Sequence, residues 1–175
     1  MVTDLKPSPL DAAVPGPAWR VLVVDGNSVN QRLWAHMLRR LGHKSLSVAD
    51  GWEAIDALAV FPADVILMDL DLPDSGGFES ALYIREQARH PARPWIIGTT
   101  IHPEPEDYDR AMQVGMNDFL LKSGQAEALE RALHYAEKSM GGAGRLRAAR
   151  LSPIAAGPAQ AGSPSEARAS AIDTV

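Results

Sequence analysis

The sequence predicts an open α/β fold, a doubly wound parallel sheet, and three observations carry the prediction. Five short apolar runs recur along the chain with room for a helix after each. The segments between them place apolar residues at helical spacing. The runs also end on polar residues, at the sheet edge where ligands meet a fold of this kind.

Arg20 to Val24 reads as the first strand, ending at the turn Asp25-Gly26-Asn27. Ser28 is the expected N-cap of a helix whose face is Val29, Leu33, Met37 and Leu41, closed by Gly42. Ser45 to Val48 gives a second strand, and Trp52, Ile55, Leu58 and Ala59 a second helix ended by Pro62. Val65 to Met68 is the third and most apolar strand, followed by a loop from Pro73 to Gly77.

Phe78, Ala81, Leu82 and Arg85 outline a third helix stopped at His90-Pro91. Trp95 to Ile97 is a fourth strand running into Gly98-Thr99-Thr100. Tyr108, Ala111, Met112 and Val114 mark a fourth helix that ends at Gly115. Phe119 to Leu121 leads into Lys122, and Leu129, Leu133 and Ala136 mark the last helix. Trp34, Trp52 and Trp95 read as packing or surface aromatics, and Gly77 and Gly115 as turn glycines. Strands alternating with helices require a parallel sheet covered on both faces. Right-handed crossovers narrow this to a flavodoxin-like (βα)5 arrangement.

Residues 1–18 are expected to form a flexible arm, with four prolines and no apolar periodicity. The folded domain is expected over residues 19–138. Residues 139–175, rich in Gly, Ala, Pro, Ser and Arg, bury too little apolar surface to offset ordering entropy and are expected to be disordered. A nascent helix over Arg145 to Leu151 is the one element expected there.

A net charge of -5 argues against binding nucleic acid through bulk electrostatics. With no cysteine in the chain, thiol chemistry and thiolate metal sites are excluded. The five histidines show no ligand spacing. There is no signal-peptide pattern and no apolar run of membrane-spanning length, so a cytoplasmic protein without membrane contact is expected.

The strand ends carry the chemistry. Asp25, Asp69, Thr99 and Lys122 come from four different strands and meet at one rim if the sheet forms as expected. An Asp carboxylate can attack phosphorus and hold the phosphoryl group as an acyl phosphate. Carboxylates bind a hard cation, Lys122 neutralises phosphoryl oxygens, and the Thr99 hydroxyl donates to another.

The segments VLVVDGNSVNQRL, GHKSLSVADGWEAIDAL, DVILMDLDLPDSGG, PWIIGTT and VGMNDFLLKS resemble the receiver domain of two-component response regulators. The nearest flavours are receivers of hybrid histidine kinases and stand-alone CheY-like regulators. The resemblance implies phosphorylation of Asp69 by a histidine kinase or phosphotransfer protein, with Mg2+ held at Asp25, Asp69 and Asp71. It implies Thr99 and Phe119 as a switch pair, Lys122 as the phosphate-facing cation, and output through the face made by the fourth helix, fifth strand and fifth helix. No enzymatic activity is implied beyond self-catalysed phosphoryl transfer and autodephosphorylation, and no DNA-binding domain is expected.

Two positions depart from the family pattern. Gly26 stands where receivers carry a second acidic residue that touches the metal, so Mg2+ binding should be weakened. Ser123 stands where the family has a cis-proline, and a cis bond there would cost about 3 kcal/mol. Asp71 compensates in part, since the family supplies a backbone carbonyl to the metal at that position.

Three other readings stand beside this one. A pseudo-receiver would bind a partner without phosphorylation, or a cyclic dinucleotide through Arg145, Arg147 and Arg150. The pair Asp69-Leu70-Asp71 resembles that of haloacid-dehalogenase-type phosphatases, although Pro73 stands where that family needs Thr or Val. A nucleotide-binding flavodoxin-like protein lacks a phosphate-cradling glycine loop.

Overall fold

The computed structural model describes residues 18–73, 76–87, 93–122 and 126–141. Five strands and five helices alternate: β1 Arg20–Val24, α1 Ser28–Arg40, β2 Lys44–Val48, α2 Gly51–Val60 and β3 Val65–Asp69. α3 Gly77–Gln87, β4 Trp95–Thr100, α4 Asp107–Gln113, β5 Asp118–Leu121 and α5 Ala126–Met140 complete the series. All strands pair in parallel, in the order β2-β1-β3-β4-β5. The expected doubly wound, flavodoxin-like sheet is therefore what the chain forms.

Alternation along each strand splits the core in two. Leu22, Val24, Ile66, Met68 and Ile96 face α2, α3 and α4, whereas Val21, Val23, Val65, Leu67 and Ile97 face α1 and α5. β3 is buried on both faces at every position, which is why it reads as an unbroken apolar run. Edge strand β2 alternates Ser with apolar residues and is only half covered. Asp64 accepts from the Arg20 backbone N–H at 2.9 Å and pairs with its guanidinium at 3.0 Å, pinning β1 beside β3.

Several helix faces differ from expectation. Val29 and Leu33 are 61% and 51% exposed, and α1 instead buries Trp34 and Leu38. Its N-cap is Asn27, whose side chain accepts from Val29 N at 2.8 Å, rather than Ser28. On α2, Trp52 and Ala59 face solvent while Ala54 and Ala57 pack. On α3 the core residues are Phe78, Ala81 and Ile84, and Leu82 is exposed. A short helix over a sheet buries a stripe about one residue in three wide, and only the sheet decides which stripe.

Helix ends follow the expected chemistry more closely. Gly42 adopts φ +82 after α1, where its N–H reaches Arg39 O and the N–H of His43 reaches Leu38 O. Gly115 repeats the device after α4 at φ +88, with Met116 N bonded to Ala111 O. α5 runs to Met140, two residues past the expected end of the domain. The His90-Pro91 stop, Ser123 and the Arg145–Leu151 helix with Arg145, Arg147 and Arg150 lie outside the described residues. Among the described residues no peptide bond is cis, and no helix is long and apolar enough to cross a membrane.

His43 couples this packing to pH. Its Nδ1 accepts from Trp19 N at 3.3 Å. Burial lowers its pKa below the ordinary 6.5, against the pull of Glu137. The unfolded chain therefore takes up a proton at His43 before the folded one does. Stability is full above pH 6.5 and falls as pH drops from there through the folded pKa. Urea midpoints measured at pH 7.5 and pH 5 should differ less in His43→Gln than in the wild type, and equal differences would contradict this.

Candidate functional site

The strand order brings β1 beside β3, and the loops after them leave the C-terminal edge in divergent directions, opening a notch there. Asp25 follows β1 and Asp69 ends β3, and both are buried, at 1% and 4% exposure. Lys122 follows β5 and reaches back over the edge. Its Nζ lies 3.0 Å from Asp25 Oδ2 and 2.5 Å from Asp69 Oδ2, so one ammonium bridges both carboxylates. Thr99 is the register partner of Asp69 on β4 and is likewise buried.

The carboxylates are held from behind. Asp25 Oδ1 accepts from Asn27 N at 2.9 Å and from the Asn30 side chain at 3.3 Å. Gln31 Nε2 donates to the backbone oxygens of Asp25 and Val48 at 2.7 and 3.2 Å, tying β1 to β2. Asp69 Oδ1 accepts from Asp71 N at 3.0 Å, which leaves Oδ2 as the oxygen facing Lys122. Burial raises the Asp69 pKa, and the Lys122 bond and the Asp71 N–H only partly offset it. Asn30 and Gln31 escaped the sequence reading, although polar residues five and six places after Asp25 on α1 were a usable signal.

Asp71 goes elsewhere. It is exposed, and its Oδ2 accepts from the Thr100 hydroxyl at 3.2 Å, while Thr100 Oγ1 accepts from His102 N at 3.2 Å. This clamp joins the loop after β3 to the loop after β4. The sequence reading singled out Thr99 and passed over its neighbour. Phe119 is half-buried on β5, its ring edge-on to Tyr108 of α4 with centroids 6.5 Å apart. Gly98 lets Met116 and Phe119 pack close against β4, since a Cβ there would meet Met116 Sδ at 2.8 Å and Phe119 Cδ2 at 3.5 Å.

Gly77 is a close-approach glycine rather than a turn glycine. A Cβ would sit 2.1 Å from the Asp69 carbonyl oxygen and 2.7 Å from Leu70 Cα, where α3 begins. Its N–H donates to Leu70 O at 3.1 Å. Gly77→Ala should cost about 3 kcal/mol by forcing the backbone apart beside Asp69. Chemical denaturation checks this, and a loss under a few tenths of a kcal/mol would contradict it.

A divalent cation is implied here, and the residues can be tested for fit. Asp25 Oδ2 is buried and has no aligned hydrogen-bond donor, although Lys122 stands 3.0 Å away as a counter-charge. Such an oxygen suits a cation that needs no donor hydrogen. Asp69 and the loop after it add further hard oxygens. The set is sparse: Gly26 brings no carboxylate, and no group of three acidic or imidazole side chains is gathered for a metal among the described residues. The site fits Mg2+ with Asp25 and Asp69 as anionic ligands, and Asp71 stands outside that pair.

Comparison with known proteins agrees with this geometry. Residues 21–134 match the response regulator receiver domain. The chain is 35% identical over 105 residues to the sensor histidine kinase GacS of Pseudomonas protegens, a match covering 59% of this chain and only 12% of that protein. Among solved structures, the receiver domain of the sensor histidine kinase PA1611 from Pseudomonas aeruginosa, with a magnesium ion in its active-site cleft, is 36% identical. It superposes with TM-score 0.61, covering 67% of this chain and 96% of that one. The Vibrio cholerae chemotaxis protein CheY4 is 28% identical with TM-score 0.64, covering 69% of this chain and 99% of that one. On the residue match, the sheet order and the rim of Asp25, Asp69, Thr99 and Lys122, the chain belongs to the response regulator receiver family of two-component signalling.

Proposed function

We propose that the chain acts as a receiver that accepts a phosphoryl group on Asp69 and signals through protein contacts. The observation that carries this is the Lys122 ammonium shared between Asp25 and Asp69. Bound Mg2+ would neutralise phosphoryl oxygens and so favour attack on phosphorus. Asp69 Oδ2 attacks the phosphorus of a phosphohistidine; the new P–O bond forms as the P–N bond breaks, and the imidazole keeps the electron pair and gains a proton. Asp25 keeps its hydrogen bonds to Asn27 and Asn30 and holds the far side of the notch. Lys122 exchanges its Asp69 contact for a phosphoryl oxygen. The Thr99 hydroxyl turns to another, and Phe119 follows its movement.

The donor is a histidine kinase or phosphotransfer protein, and Val29 and Leu33 suit it. Both are exposed, one turn apart on α1, a few residues after Asp25. Output runs through α4, β5 and α5, where Tyr108, Leu121 and Tyr135 are exposed. The test is intact mass after acetyl phosphate and Mg2+: one added phosphoryl group on the full chain supports the reading, and an unmodified chain refutes it. Val29→Asp with Leu33→Asp should slow transfer from a phosphohistidine donor at least about tenfold. Acetyl phosphate labelling should stay as it was, and an equal loss from both donors would remove α1 as the docking face.

Gly26 favours a second reading, a pseudo-receiver that binds its partner whether or not it carries phosphate. Partner capture equal for wild type and Asp69→Ala would support it. A haloacid-dehalogenase-type acid–base role for Asp71 has no such observation behind it, because its carboxylate is engaged with Thr100.

A further inference from the structure

We propose that the pocket at the N-terminal end of β4, at the opposite end of the sheet from Asp69, binds the phosphate of a small molecule of nucleotide size between Arg85 and Arg93. The cavity measures about 460 Å3. That lies within the roughly 300–1,000 Å3 that small-molecule sites occupy. Arg85 and Arg93 line it with the Gln113 amide, and Leu82, Pro94 and Trp95 provide apolar wall.

Arg85 is the centre of the argument. Its Nε donates to Gly115 O at 2.7 Å, Nη1 to Pro94 O at 2.8 Å and Nη2 to Asn117 Oδ1 at 2.7 Å. All three acceptors are neutral, and no carboxylate pairs with it among the described residues. These bonds fix the guanidinium in place and leave further N–H groups to donate. Burial, then the neighbouring charge of Arg93, pulls its pKa down to about 10, the mark of a cation lacking a counter-ion.

Arg93 is exposed and makes no ion pair among the described residues. Among the described residues no Asp or Glu lines the pocket, although the chain as a whole carries -5. One anchored guanidinium and a second lining the same pocket suit a multiply charged oxyanion, and the planar fork matches phosphate geometry. The apolar wall adds a surface on which a base or other flat group can lie.

The experiment is an amide and indole NMR titration of the full chain in Mg2+-free buffer, with AMP and inorganic phosphate as probes. Saturable shifts at Gly115, Asn117 and the Trp95 indole are expected, with AMP binding more tightly than phosphate. Arg85 holds three backbone or side-chain groups together, so the variant is Arg93→Glu, which breaks no ion pair among the described residues. It should weaken AMP roughly tenfold or more while acetyl phosphate labelling of Asp69 stays unchanged. No saturable shift, shifts centred on Asp25, Asp69 and Lys122, AMP no tighter than phosphate, or unchanged affinity in Arg93→Glu would each overturn the proposal. Because the pocket is remote from Asp69, this result is independent of whether the chain is phosphorylated.

Discussion

Asp69→Asn should abolish phosphoryl labelling and at the same time stabilise the fold at neutral pH. The loss of labelling follows from chemistry, since an amide cannot become an acyl phosphate in one displacement. The gain in stability follows from the raised Asp69 pKa, which burial causes despite Lys122. A folded-state pKa above the unfolded value means that the folded state binds the proton more readily. The favourable contribution is present at low pH and is lost as pH rises through the folded pKa, so the ionised carboxylate is a cost at pH 7. Asparagine keeps the shape, Asp25 keeps Lys122 paired, and the cost disappears. A higher melting temperature at pH 7, narrowing towards the wild type as pH falls, is the expected pattern. A lower one at pH 7 would mean that the Lys122 contact outweighs burial. A stability cost borne at the residue proposed to react is a common accompaniment of function.

Gly26→Asp should tighten Mg2+ by roughly tenfold, the effect of adding one anionic ligand or its close support to a hard-cation site. The position can take a side chain: the new Cβ would meet Pro73 Cδ at 3.3 Å and Ala49 O at 3.7 Å, tight but beside a loop proline. Gly26 is exposed and its φ lies outside the left-handed region, so no backbone strain opposes the change. Labelling by acetyl phosphate at limiting Mg2+ should rise in parallel. Intrinsic fluorescence titrations with Mg2+ on both proteins decide the matter. If affinity and labelling both stay level, the sparse donor set is not what limits the metal, and the argument from Gly26 for a pseudo-receiver fails.

Much of this was legible before any coordinates. Strands buried on both faces write themselves as apolar runs, and parallel strands place their last residues on one edge. That is why Asp25, Asp69 and Lys122 could be brought together from positions far apart in sequence. Gly42 and Gly115 were legible as helix ends because a left-handed residue after a helix favours glycine for local steric reasons. Gly77 was misread as a turn residue, since its constraint is the Asp69 carbonyl, a contact that no local pattern records.

The sequence by itself determined the order and type of elements, the sheet's parallel character and the chemistry offered at its C-terminal edge, because these depend on periodicity and strand direction. Tertiary structure alone decided which stripe of each helix was covered, sending Trp34 inward and leaving Val29 and Leu33 in solvent. It also decided that Asp71 turns to Thr100 instead of joining Asp25, and that Arg85 is held among neutral oxygens. Those outcomes turn on distances between groups remote along the chain, where several partners of equal chemistry compete and packing selects one.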